Sequence, residues 1–180
     1  MCLESWAQAV IFPQKKQPGV AKITQKSNSY QLANKVLKAS FINTGGKLYF
    51  NGCSELGLQP DTELFKVLLG DGSTVAASGM KLEDVKIVTL GEDPSAATAS
   101  LRYAGKALEA RFTYGDLSIT WRAVLRDGSH YLRTEMDIKA ARDLSMKGIV
   151  AMNYLVAKNS AYTAPEVVGN TRGAILASNH

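Results

Sequence analysis

Residues Asp116 to Ile138 constrain the fold more than any other stretch. Leu117, Ile119, Trp121, Ala123 and Leu125 alternate with Ser118, Thr120, Arg122, Val124 and Arg126. After Arg126-Asp127-Gly128-Ser129 the alternation resumes, with Leu132, Thr134, Met136 and Ile138 set against Tyr131, Arg133, Glu135 and Asp137. A period of two places each set on one face of a sheet. Asp-Gly between two such runs signals a hairpin, because glycine accepts positive φ without steric penalty. The stretch therefore predicts two antiparallel strands joined by a tight turn, with Trp121 on the apolar face.

The rest of the chain repeats this pattern in shorter pieces. Val20 to Ile23 reads as a short first strand and Ser27-Asn28-Ser29 as a polar turn. Tyr30 to Phe50 reads as a hairpin around Asn43-Thr44-Gly45-Gly46, with Leu37, Ala39 and Phe41 on one face. Gly52 to Pro60 is a loop. Leu64 to Leu69 and Thr74 to Ala77 pair across Gly70-Asp71-Gly72-Ser73, and Leu82 to Leu90 forms a further strand. Ala97 to Tyr103 and Ala107 to Tyr114 are expected to form a hairpin around Ala104-Gly105-Lys106. Asp143 to Gly148 reads as a bend or one helical turn, Ile149 to Val156 as a strand, and the glycine-bounded loop Gly169 to Gly173 separates two last short strands. About ten short strands with regular turn signals and no long amphipathic helix argue for an all-β, antiparallel β-sandwich.

Composition narrows the function classes. With 180 residues the chain fits one domain large enough to fold without disulfide or metal staples. The net charge of +5 is spread out, with Lys15-Lys16 the only adjacent basic pair, so no nucleic-acid footprint is expected. Cys2 and Cys53 lie far apart and the two histidines, His130 and His180, are isolated, so no metal site or other cofactor is expected and both thiols should be free. No apolar run is long enough for a membrane span. Trp6-Ala7-Gln8-Ala9-Val10 has the A-x-A spacing of a secretory cleavage site but lacks the charged start and apolar middle of a leader. A trimmed precursor and a chance match both remain open readings.

Candidate chemistry is sparse. Glu135 and Asp137 share a strand face and could form an acid pair of the glycosidase kind. Arg122, Arg126 and Arg133 belong to the same face, and a solvated ion-pair ladder accounts better for all five. No Gly-x-Ser-x-Gly appears, and His130 beside a hairpin turn lacks the partners of a general base. Gly70 to Ser73 lacks the Gly-Lys-Ser/Thr ending of a phosphate-binding loop. Asn170, Thr171 and Arg172, between glycines, could hydrogen-bond a ligand or a neighbouring domain. Tyr103, Tyr114 and Tyr131 are candidates for stacking on sugar rings. The candidate ligand-binding residues are Asn170, Thr171, Arg172 and Tyr131, with no catalytic residue.

The run from Ile119 to Arg133, with its Trp-Arg-Ala and Asp-Gly-Ser, resembles a segment in the N-terminal β-sandwich of α-galactosidase-like glycoside hydrolases. Val167 to Gly173 resembles the stretch that follows, and Leu32 to Leu58 is compatible with the opening hairpin. The resemblance spans residues 30 to 180 and implies a supersandwich of the galactose-mutarotase type. In such secreted bacterial enzymes the sandwich precedes a (β/α)₈ barrel that carries the catalytic aspartates, so no catalytic residue transfers here. The resulting expectation is a weakly ordered segment over 1–29 and a β-sandwich over 30–180, truncated from a longer enzyme. It would be secreted or periplasmic. Its partners would be the catalytic domain of the same polypeptide and glycan, with a free-standing carbohydrate-binding module and a mutarotase-like epimerase as rivals.

Overall fold

The computed structural model describes residues 16–53, 62–98 and 101–151. In chain order these form β1 (Lys22–Lys26), β2 (Ser29–Ala33), β3 (Lys38–Thr44), β4 (Lys47–Cys53), β5 (Lys66–Leu69), β6 (Thr74–Ala76), a 3₁₀ turn (Ala77–Gly79), β7 (Lys81–Leu90), β8 (Gly105–Tyr114), β9 (Leu117–Arg126), β10 (Arg133–Ala140) and β11 (Met146–Val150). The fold is all-β and every pairing of these strands is antiparallel. Two four-stranded meanders, β1-β2-β3-β4 and β10-β9-β8-β7, form the sandwich, and a three-stranded sheet, β11-β5-β6, adjoins them.

Alternation decides what each strand buries. On β9, Leu117, Ile119, Trp121, Ala123 and Leu125 are all buried, as the period of two requires. Leu108, Ala110 and Phe112 lie beside them on β8, while Tyr30, Leu32, Ala39, Phe41, Leu48 and Phe50 come from the first sheet. The sheets meet at Phe41 and Trp121, whose rings sit edge to face at 5.6 Å, and Phe50 packs on Phe41 in the same way at 5.5 Å. Edge-to-face contacts let the positive rim of one ring meet the negative face of the other. The small sheet is anchored by Phe65 against Phe112 at 5.3 Å and by an isolated bridge between Thr62 and Phe50.

Turn chemistry fixes the first meander. Gly45 and Gly46 both have positive φ, 59° and 72°, which a two-residue hairpin loop matching strand twist demands. At the far end of β4, the register with β3 shifts between Ala39 and Phe41. The shift lets Cys53, rather than Gly52, face the core.

Several expectations need correction. The stretch from Ala97 to Tyr103 does not pair with β8. Among its described residues there is no strand, and β8 instead pairs with β7 and β9. Gly105 is not a turn residue but the first residue of β8. A Cβ there would lie 2.5 Å from the Leu125 carbonyl oxygen and 2.9 Å from Arg126 Cα, so the glycine serves close backbone approach. The β9–β10 connection is also longer than a tight turn, because β10 begins only at Arg133. Finally, the bend expected over Asp143–Gly148 is shorter. β11 starts at Met146 and bulges between Met146 and Gly148 against β5.

The long β9–β10 connection has a structural use. Asp127 Oδ1 accepts the Ala21 N–H at 2.7 Å, and the Gly128 N–H donates to the Gly19 carbonyl at 2.9 Å. Asn34 Nδ2 donates to the Ser129 carbonyl at 2.7 Å, while its Oδ1 accepts the N–H groups of Val36 and Leu37. The turn thus clasps the lead-in to β1 and the β2–β3 connection, tying the two meanders at one end. The Val20–Ile23 strand reading fell two residues early, since β1 begins at Lys22 after the clasped segment.

Two substitutions test this account. Gly105→Ala should lower unfolding free energy by about 2 kcal/mol or more, because backbone must move, whereas Gly91→Ala, with open space around its Cβ, should change it by less than about 0.5 kcal/mol. Asp127→Ala should cost about 1–2 kcal/mol in denaturant titrations and raise hydrogen exchange at Ala21, whose N–H loses its acceptor.

Candidate functional site

The outer face of the second sheet gathers most of the chemistry. Its register lines up Lys86, Glu109, Arg122 and Glu135 across β7, β8, β9 and β10, alternating in sign. Glu109 is the single charged residue buried among the described residues, at 7% exposure. Lys86 Nζ lies 2.8 Å from its Oε1 and Arg122 Nε 2.5 Å from its Oε2. Burial alone would raise the Glu109 pKa, but the hydrogen bonds and charges of Lys86 and Arg122 outweigh it and hold the carboxyl below its ordinary range. A general acid needs the opposite shift, so Glu109 is built to stay charged and to join three strands.

The acids singled out from the sequence are likewise committed. Glu135 pairs with Arg133, and Asp137 lies 3.6 Å from Lys139 Nζ. Both pairs run along β10, so these acids are ion-paired as expected but not in the expected cross-strand ladder with Arg122 and Arg126. Arg122 is bound by Glu109 on β8, and Arg126 turns to backbone, donating from Nη1 to the carbonyls of Tyr103 at 2.6 Å and Gly91 at 3.1 Å. Ala107 and Val124, which register puts on this outer face, are nonetheless buried and stand apart from the main core. Register flanks them with Val88 and Arg133, which makes a small apolar patch within the charged face.

Of the predicted ligand-binding residues, Asn170, Thr171 and Arg172 lie outside the described residues. Tyr131 is exposed at 55% and sits just before β10. The Ser129 hydroxyl donates to the Tyr131 carbonyl at 2.8 Å and also accepts the Tyr131 N–H at 3.2 Å. Tyr103, 58% exposed, sits just before β8 at the same end of the sheet. Tyr114, 46% exposed, closes β8 at the other end, about 30 Å away along a ten-residue strand. The three tyrosines are exposed as expected, yet only two share an end. Trp121 is in the core, and its Nε1 has no hydrogen-bond partner among the described residues. Cys53 is a buried free thiol, and Cys2 lies outside the described residues.

Sequence reasoning missed Glu109. The signal was present: Ala107, Glu109 and Arg111 alternate with Leu108, Ala110 and Phe112, so Glu109 had to face Arg122 once β8 and β9 were paired. No group of three or more metal-ligating side chains occurs among the described residues, and no helix there is long and apolar enough to cross a membrane. No family model, curated protein or solved structure matches the chain.

Glu109→Gln tests the ion-pair cluster. Lys86 and Arg122 remain reachable by water, so the loss at neutral pH should be about 1–2 kcal/mol rather than the roughly 3–5 kcal/mol of a fully buried pair. Because the folded pKa is lowered, the contribution is full above the ordinary glutamate value and vanishes as pH falls through the folded one. The variant should therefore show a flatter fall in melting temperature on acidification below about pH 5.

Proposed function

We propose that this chain is a non-catalytic accessory β-sandwich of a secreted carbohydrate-active enzyme, of the α-galactosidase-like glycoside hydrolase kind. It braces the catalytic domain of the same polypeptide and touches glycan. The observation that carries this reading is how the charged face is used. Lys86, Glu109 and Arg122 pair across β7, β8 and β9, and Glu135 pairs with Arg133 along β10, leaving a polar sheet suited to lie against another domain. The hairpin that resembles such enzymes, Ile119 to Arg133, forms the middle of that sheet and its clasp. Asn170, Thr171, Arg172 and Tyr131 are its proposed contacts to sugar or to the neighbouring domain.

A free-standing carbohydrate-binding module is the second reading, favoured by the exposure of Tyr103 and Tyr131. The accessory domain binds galacto-oligosaccharides weakly alone and gains affinity when joined to its catalytic domain. A module binds at full strength by itself. Calorimetry on the isolated and joined forms separates the two. The isolated chain should neither hydrolyse aryl galactosides nor interconvert galactose anomers, and turnover abolished by His130→Ala would overturn both readings in favour of an epimerase.

A further inference from the structure

We infer that Tyr103 and Tyr131 form a two-point stacking site for an oligosaccharide at the clasped end of the second sheet. The inference rests on the carbohydrate reading above and adds to it the location of the site and the length of its ligand. Both rings are exposed, at 58% and 55%, whereas the other large aromatic residues among the described residues are mostly buried. A tyrosine ring in water presents an apolar face with a hydroxyl at its tip, which suits the C–H face and hydroxyl rim of a pyranose.

The backbones that carry the two rings are tied to one another. The Tyr103 carbonyl accepts from Arg126 Nη1 at 2.6 Å, the Arg126 carbonyl accepts the Ser129 N–H at 3.1 Å, and the Ser129 hydroxyl donates to the Tyr131 carbonyl at 2.8 Å. The Asp127 N–H adds a bond to the Ala104 carbonyl at 2.9 Å. These bonds hold the backbone at both tyrosines before a ligand arrives, which reduces the ordering cost of binding.

The spacing sets the ligand. Tyr103 leads into β8 and Tyr131 into β10, on either side of β9. The strands they lead into, β8 and β10, lie two strand spacings apart, about 10 Å. One pyranose does not bridge such a gap, so the two rings address different residues of one chain. Tyr114, at the opposite end of β8, takes no part.

The test is calorimetry of the full chain with galactose, galactobiose and longer galacto-oligosaccharides. Affinity should rise with chain length until both tyrosines are engaged and then level off. Tyr103→Ala and Tyr131→Ala should each weaken the longest ligand about tenfold, with unchanged melting temperature because both side chains are exposed. Tyr131→Phe should keep most of the affinity, and Tyr114→Ala should keep all of it. If the wild-type chain binds but the two alanine variants bind equally well, the inference fails while the carbohydrate reading stands. If the folded wild-type chain binds none of these sugars, both fail.

Discussion

The edge-to-face contact between Trp121 and Phe41 is the joint on which the structure depends. Each ring belongs to a different meander, and each is fully buried only because the other sheet covers it. Alternation then does the rest. Once Trp121 points inward, Arg122 and Thr120 must point outward, and the outer positions of β7 to β10 become a polar face. The ion pairs there follow from the aromatic joint rather than competing with it. Glu109 is the position where the two demands meet: it lies on the outer side yet is enclosed between Lys86 and Arg122, and only their paired charges make its burial tolerable.

Much of this was legible from residue order. The five inward positions of β9, the Gly45–Gly46 turn and the Leu37-Ala39-Phe41 face are local patterns, and local patterns carry their own periodicity. What was not legible depends on contacts far apart in the chain. Gly105 looks like a turn residue until Leu125 and Arg126 are brought against it. Asp127 looks like a hairpin aspartate, whereas its carboxylate is spent on Ala21, 106 positions away. The pairing of β8 with β7 could not be seen because Gly105 and its neighbours suggested a nearer partner.

The candidate site was legible in its parts but not in its grouping. Exposure of Tyr103, Tyr114 and Tyr131 follows from their places at strand ends, where neither face is fully covered. Which of them share an end is a matter of register. Pairing Gly105 with Arg126 puts Tyr103 near the β9–β10 connection and sends Tyr114 to the opposite edge. That Glu135 and Asp137 are ion-paired is legible from β9 and β10 alone, whereas Glu109, the partner of Arg122, escapes because Gly105 suggests another hairpin for β8.

The irregularity in β7 bears on how molecules of this chain meet one another. Among the described residues β7 has a neighbour on one side only, and its register breaks at Glu83. The extra residue bends the ladder, Lys81 and Lys86 crowd it with charge, and Glu83 is held by Thr113 and Lys81. A strand edge so interrupted is a poor template for a second molecule, and the outermost strand of the second sheet thereby resists the end-to-end accretion that leads to fibrils.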